Sequence, residues 1–300
     1  MSYIDIFTSH FSSAYYQLSG IFTIYVVATF LALGIEFVVV GKSSSTICKI
    51  INGNISKTLR QDIIIWILEI ANILTFVGKV ITLGATYYLA NILNQWVQGI
   101  SVFKFLSKIP SLPVQIVLFL LFSDFVGYWL HRAFHKHRAL WMLHKFHHSA
   151  SEMTVFNATR DNPIVIPLFV LFTGLPVAIF GAPSEVPLWI TFFGIWHALI
   201  IHSQISSNWG VIGRWFIVSP HWHTVHHSKS KQHEDKNFSF LFPIWDHVFG
   251  TYYSGVEPVS KIGINEPDAG LSFCNQIFKD TTTSISLLLK TNIRKVKSEY

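Results

Sequence analysis

Three short strings, His131-Arg-Ala-Phe-His135, His144-Lys-Phe-His147-His148 and His223-Thr-Val-His226-His227, decide how this chain must fold. On a helix, positions three and four apart share a face. Each string can therefore aim two or three imidazoles at one spot. Together they offer eight rings, twice the roughly four ligands of a tetrahedral zinc site. Two metal ions sharing one cage is the economical expectation, and neutral imidazole suits iron, zinc and copper alike. A lone histidine is more often a helix cap or an interfacial side chain, and His10, His137, His233 and His247 fall in that class.

The rest of the chain is oily. Of its 300 residues, 51% are hydrophobic and only 13% charged, against roughly a quarter charged in soluble domains. This composition reads as an integral membrane protein. The net charge of +6 comes from no long basic run with interleaved aromatics, so nucleic acid is not an expected partner. Lys and Arg instead punctuate apolar segments and the tail 290–297, where anionic lipid headgroups are the natural counter-charge. Cys48 and Cys274 are too far apart and too few for an iron–sulfur site with about four thiolates. Residues 1–19 lack the basic stretch and small-residue cleavage site of a signal peptide.

Residues 21–40 form an apolar stretch of spanning length with Glu36 its only charge, followed by a polar connector, 42–60. The stretch 61–93 exceeds one upright span of about 20 residues and reads as a tilted or broken helix. Pro110 and Pro113 punctuate the start of a third span, 112–130, that runs directly into His131. Residues 163–180 and 187–205 read as a helical hairpin turning at Gly181-Ala-Pro183. A hairpin enters and leaves on one side, so all three histidine strings face the same side. Lys42, Lys49, Lys57 and Arg60, with Lys136, Arg138 and Lys145, make that side cytoplasmic. The chain divides into an N-terminal transmembrane region and connector (1–110), a catalytic region (111–255) and a C-terminal tail (256–300).

The expected metal ligands are His131, His135, His144, His147, His148, His223, His226 and His227, and His202 on the hairpin's return arm is expected to complete the cage. His197 lies five residues before His202; at about 100° per residue it faces elsewhere and stays open between ligand, outer partner and packing. His221 is placed as an outer partner. Asp124 closes an apolar span, a costly position for an unpaired acid. It is expected to join the catalytic set by accepting an N–H from the first string, with Arg132 or Lys136 as alternative partners. Asp246 either serves the third string likewise or caps a helix. Phe119, Phe122, Phe125, Tyr128, Trp129, Phe192, Phe193 and Trp196 either wall a substrate tunnel or form helix packing and an interfacial belt. The His-Glu-x-x-His string of a zincin does not occur.

In context, these strings resemble the fatty acid hydroxylase and sterol desaturase superfamily of membrane di-iron enzymes over residues 124–252. Asp124-Phe-Val-Gly-Tyr-Trp-Leu-His131-Arg-Ala-Phe-His135 is similar to the first box with its upstream acid. Leu140-Trp-Met-Leu-His144-Lys-Phe-His147-His148-Ser149 and Ser219-Pro-His-Trp-His223-Thr-Val-His226-His227-Ser228 are similar to the second and third. Asn237-Phe and Ile244-Trp245-Asp246-His-Val-Phe249-Gly250-Thr251 resemble a tail motif of bacterial members and alkylglycerol monooxygenase. Two positions depart from the pattern. Asn162 stands where many members carry the histidine of Arg-x-His-Pro, and Thr224 where arginine is common.

The resemblance implies an all-α fold: an integral membrane bundle of about four transmembrane helices with a cytosolic helical cap holding a histidine-rich dimetal site. It implies two iron ions, with zinc as a substitute on purification, O2 as co-substrate and a lipid substrate: fatty acyl, alkyl ether or sterol-like. Electrons would come from an external donor, cytochrome b5-like, ferredoxin or reductase. The implied reaction is hydroxylation of an aliphatic C–H bond, with desaturation on the same scaffold as the alternative. A non-catalytic metal-binding membrane protein is the alternative of another class. The expected location is multi-pass, in a bacterial inner membrane or the endoplasmic reticulum, with the active site on the cytoplasmic side.

Overall fold

The computed structural model describes residues 3–42, 44–81, 88, 92, 95, 108–181, 183, 185–265 and 272–298. Among them the chain is helical and has no strands, only an isolated antiparallel bridge between Ser228 and Ile262. Among the described residues, two helices are long and apolar enough to cross a bilayer, over Phe22–Val40 and Leu112–Lys136. Two further apolar helices, Val165–Pro176 and Glu185–Ile201, are shorter.

Helix α1 (Tyr3–Val40) buries Ala28, Thr29, Ala32, Leu33 and Glu36, a stripe at helical spacing, while Phe30, Leu31, Val38 and Val39 stay exposed. An outward face that oily suits lipid. The small Ala28 and Ala32 let a neighbouring backbone approach closely. After α2 (Thr46–Ile51), helix α3 (Lys57–Ile70) is capped by Ser56, whose hydroxyl accepts the Leu59 N–H. The long apolar stretch from 61 is broken: Asn72 has φ 57 and separates α3 from α4 (Ile73–Ile81). Gly78 in α4 lies against Pro163, where a Cβ would sit 2.0 Å from the carbonyl oxygen. The end of the expected stretch, 82–93, falls outside the described residues apart from 88 and 92.

Ser111 and Pro113 start α5 (Leu112–Lys136), as the prolines imply. It is one continuous helix through both His131 and His135. The short α6 (Arg138–His144) follows, then a 3-10 turn at His147–Ser149 and another at Val155–Thr159. The hairpin is α7 (Val165–Phe180) and α8 (Glu185–Ile201), so its return arm ends one residue before His202. Helix α7 packs on α5, and α8 on α1 and α5. Beyond it lie α9 (Gly210–Trp215), α10 (Pro220–His226), α11 (Ile244–Val248) and α12 (Phe273–Ser298). Helix α12 packs along α6 through polar residues: Gln276, Asp280 and Ser284 are buried, and Asp280 meets Lys145 at 2.9 Å. Its outward side carries Phe278, Ile285, Leu288 and Leu289.

Candidate metal centre

The nine imidazoles singled out above converge, and they divide into two sets. His131, His135, His144, His148 and His226 each bring a ring nitrogen within 4.8 Å of the others. His147, His202, His223 and His227 do the same. Within every string the residues four apart share a set: 131 with 135, 144 with 148, 223 with 227. The middle histidine of the second and third strings, three along, crosses to the opposite set. Each adjacent His-His pair therefore straddles the two. Sequence spacing alone suggested one spot per string, whereas the folded chain uses the 3-10 turn at 147 and the end of α10 to fan the third ring away.

Main-chain carbonyls fix which nitrogen of several rings faces inward. His131 Nδ1 lies 2.8 Å from the Phe238 carbonyl, His226 Nδ1 2.8 Å from that of Lys236, and His202 Nδ1 2.7 Å from that of Ala198. A neutral ring facing a carbonyl donates from that nitrogen and leaves its Nε2 lone pair free. Those lone pairs meet other rings: His131 Nε2 is 3.1 Å from His144 Nε2, and His202 Nε2 is 3.2 Å from His147 Nε2 and 2.9 Å from His223 Nε2. Nitrogens bound 2.0–2.1 Å from one ion are separated by about 3.0 Å at right angles and about 3.4 Å at tetrahedral angles. Buried Nε2 atoms of His135, His148 and His226 have no hydrogen-bond partner. Convergent lone pairs at this separation repel one another unless a cation or protons lie between them. The donor set fits two soft-to-borderline metal ions.

Burial keeps these rings neutral. It holds His144, His147, His148, His223, His226 and His227 well below the usual imidazole range, and the charge any one would acquire is opposed by its neighbours. Among the described residues one carboxylate faces the centre: Asp161 Oδ1 is 3.5 Å from His147 Nδ1. Burial, and secondarily the charge of Glu69, push Asp161 up to about 7. Its neighbour Arg160 is fully buried and braces the second string. The guanidinium donates to the Phe146 carbonyl at 3.1 Å and to Ser149 Oγ at 2.9 Å, and is neutralised by Asp62 at 2.5 Å.

The other candidates land elsewhere. Asp124 touches no imidazole. Its carboxylate accepts the Leu241 and Phe242 backbone N–H groups at 2.7 and 2.8 Å and the Trp245 indole N–H at 3.1 Å. Asp246 accepts the Phe238 and Ser239 N–H groups and the Thr251 hydroxyl. Both acids thus hold the loop 236–245, whose carbonyls in turn orient His131 and His226. That loop was missed as part of the site, although the Asn237-Phe and Trp245-Asp246 motif marks it. His197 joins neither set and bonds the Val218 carbonyl at 2.9 Å; His221 bonds that of Gly255 at 3.3 Å. Asn162 accepts the Ile164 N–H just ahead of α7 and donates to Thr281 of α12. His137 is exposed, His233 lies beside Glu257, and His247 stacks on Tyr252; the side chain of His10 is outside those described. Phe125, Tyr128 and Trp129 pack against Trp245 and Phe249.

The region holding these sets, residues 116–251, matches the family model described as Fatty acid hydroxylase. Over these residues the chain is similar to that family. This region is similar to the ornithine lipid hydroxylase OlsE of Rhizobium tropici, 34% identical over 152 residues that cover 50% of this chain and 45% of that one. It is similar to the alkylglycerol monooxygenase of Homo sapiens, 31% identical over 48% of this chain and 32% of that one. It is also similar to methylsterol monooxygenase 1-3 of Arabidopsis thaliana, 26% identical over 49% of this chain and 50% of that one. The chain spans half or less of the length of each of these relatives. No solved structure matches it.

Proposed function

We propose that this chain is a multi-pass membrane hydroxylase that inserts an oxygen atom into an aliphatic C–H bond of a lipid, using O2 and two electrons from an external donor. The observation that supports this reading most is the pair of all-imidazole sets at the end of an apolar helix of spanning length. The printed names of the relatives above concern ornithine lipids, alkylglycerols and sterols, and the reading carries their common feature, a lipid C–H bond, to this chain. Helices α1 and α5 and the α7–α8 hairpin form the bundle of about four spans. Residues 138–159 and 202–265, with α12, form the cap on the cytoplasmic face.

In this reading His131, His135, His144, His148 and His226 hold one iron ion, and His147, His202, His223 and His227 the other. When bound there, iron would supply the chemistry of O2 reduction. The reaction balances as R–H, O2, two electrons and two protons giving R–OH and water. The chain's own residues do the rest. The Phe238, Lys236 and Ala198 carbonyls hold three rings in the binding tautomer. Phe134, Phe146 and Phe238, all fully buried, keep water from the nitrogens. Asp161 places a carboxylate oxygen 3.5 Å from His147 Nδ1.

Comparative lipidomics of cells with and without the protein tests the reaction. A product heavier by one oxygen is expected, dependent on an intact His226. A product lighter by two hydrogens would replace hydroxylation with desaturation, and no altered lipid would overturn the reading.

The metal centre should also have a particular acid sensitivity. Free imidazole titrates near 6.5, but the rings outside the helical span titrate well below that value in the fold. Protons therefore compete with metal only at those lower values. The unfolded chain binds protons first, so the metal-free fold keeps its full stability above about 6.5 and loses it as pH falls further. Metal content after dialysis should be unchanged between pH 7 and pH 6 and fall below that. Loss already at 6.5 would contradict the burial argument.

A further inference from the structure

Beside the second imidazole set lies an open cleft of about 620 Å³, within the range of small-molecule sites, roughly 300–1,000 Å³. Its walls continue directly from the histidine strings. Residues 203–206 follow His202, 151–153 follow the 147–149 turn, Thr224 sits within α10, and Lys229 comes two residues after His227. The opposite wall is Val256 and 258–262, joined to the first by backbone hydrogen bonds: the Lys229 N–H donates to the Lys261 carbonyl, and the Gly263 N–H to that of His227. Gly263, at φ +103, allows this approach, since a Cβ there would meet the Ala150 carbonyl at 2.8 Å and the Lys229 stem at 3.2 Å.

The polar groups in this cleft point to one kind of ligand. Lys229 and Lys261 face it from the two walls, and among the described residues neither pairs with a carboxylate. Its one acid, Glu152, is held by Lys49 at 2.5 Å. The Gln204 amide nitrogen is buried in the lining with no acceptor. Two cations and an unspent N–H donor ask for an oxyanion.

The cleft's depth says where that oxyanion comes from. Glu36, four residues before the end of α1, accepts the Gln204 backbone N–H at 2.8 Å and both donors of Thr46. That contact pins the cleft to the last turn of an apolar helix of spanning length, the level at which phospholipid phosphates lie.

We infer that this cleft is a phosphate-binding site for the headgroup of a membrane lipid, with Lys229, Lys261 and the Gln204 amide as donors. The inference rests on the reading of a lipid substrate, and it deepens that reading: a headgroup anchored here lies alongside the second imidazole set. The anchor then fixes how far along the chain oxidation occurs.

Binding, not turnover, tests it. Dioctanoyl phosphatidate is titrated calorimetrically into the purified full chain in nonionic detergent. Dioctanoylglycerol, which has the same chains without phosphate, and inorganic phosphate serve as the other arms. Phosphatidate should bind at least tenfold more tightly than either. Lys229→Gln with Lys261→Gln, which keeps the side-chain stems, should remove most of that advantage, and Gln204→Ala should weaken binding several-fold, with metal content unchanged in both. Equal binding of phosphatidate to wild type and the double variant would overturn the site. Equal affinity for inorganic phosphate and phosphatidate would overturn the lipid source. If phosphatidate binds as expected but no oxidised lipid is found, the hydroxylase reading fails and the headgroup site stands.

Discussion

Arg160→Ala is expected to destabilise the protein by about 3–5 kcal/mol, the usual cost of removing one partner from a buried ion pair. The loss is larger than the pair alone, because the same guanidinium donates to the Phe146 carbonyl and Ser149 Oγ. Those groups bracket His147 and His148. Without Arg160, Asp62 keeps only Asn157 as a partner in a fully buried position, and the 146–149 turn loses its brace. Metal content should therefore fall along with thermal stability. Arg160→Lys keeps the charge but not the fork of donors, so it should recover part of the stability and little of the metal. A wild-type melting temperature and metal content in Arg160→Ala would refute the bracing role.

His147→Ala and His148→Ala, adjacent in sequence, are expected to damage different metal positions. Each leaves the other set's nitrogens complete. On the proposed assignment, elemental analysis should show a loss of about one of two ions per chain in either variant. Turnover should be abolished in both. The contrast lies in the residual ion's spectrum: it keeps the intact four-nitrogen set in His148→Ala and the intact five-nitrogen set in His147→Ala. Identical spectra from the two variants would mean that the two sets are not separate positions.

The three strings, the hairpin between the second and third, and the convergence of nine rings could be read from sequence because they rest on helical periodicity and on a chain that must return to the side it left. The break at Asn72 was one of two options, since an apolar run carries no sign of where a backbone turns. The division into two sets was not legible. It depends on whether the residue after each i+3 position continues the helix, and at 145–149 it does not. Asp124 illustrates a second limit. Its burial at a span's end was evident, but its partners lie 117 and 118 residues away on an irregular loop, and no periodicity reports a loop's path. The resemblance named the family without showing that backbone carbonyls, rather than carboxylates, do most of the orienting.

The uninterrupted course of α5 has a mechanical consequence. Its 25 residues make a rod of about 37 Å at 1.5 Å per residue, some 7 Å longer than a hydrocarbon layer of about 30 Å. Counted from Leu112, the surplus begins near His131, so in the proposed placement the imidazole-bearing end stands just clear of the oil. A thicker or thinner bilayer obliges such a rod to tilt or slide, and the Asp124 clamp obliges the loop 241–245 to travel with it. Where α5 is embedded as proposed, membrane thickness is thereby an input to ring positions at this end of the centre, delivered through a lever rather than through any bound effector.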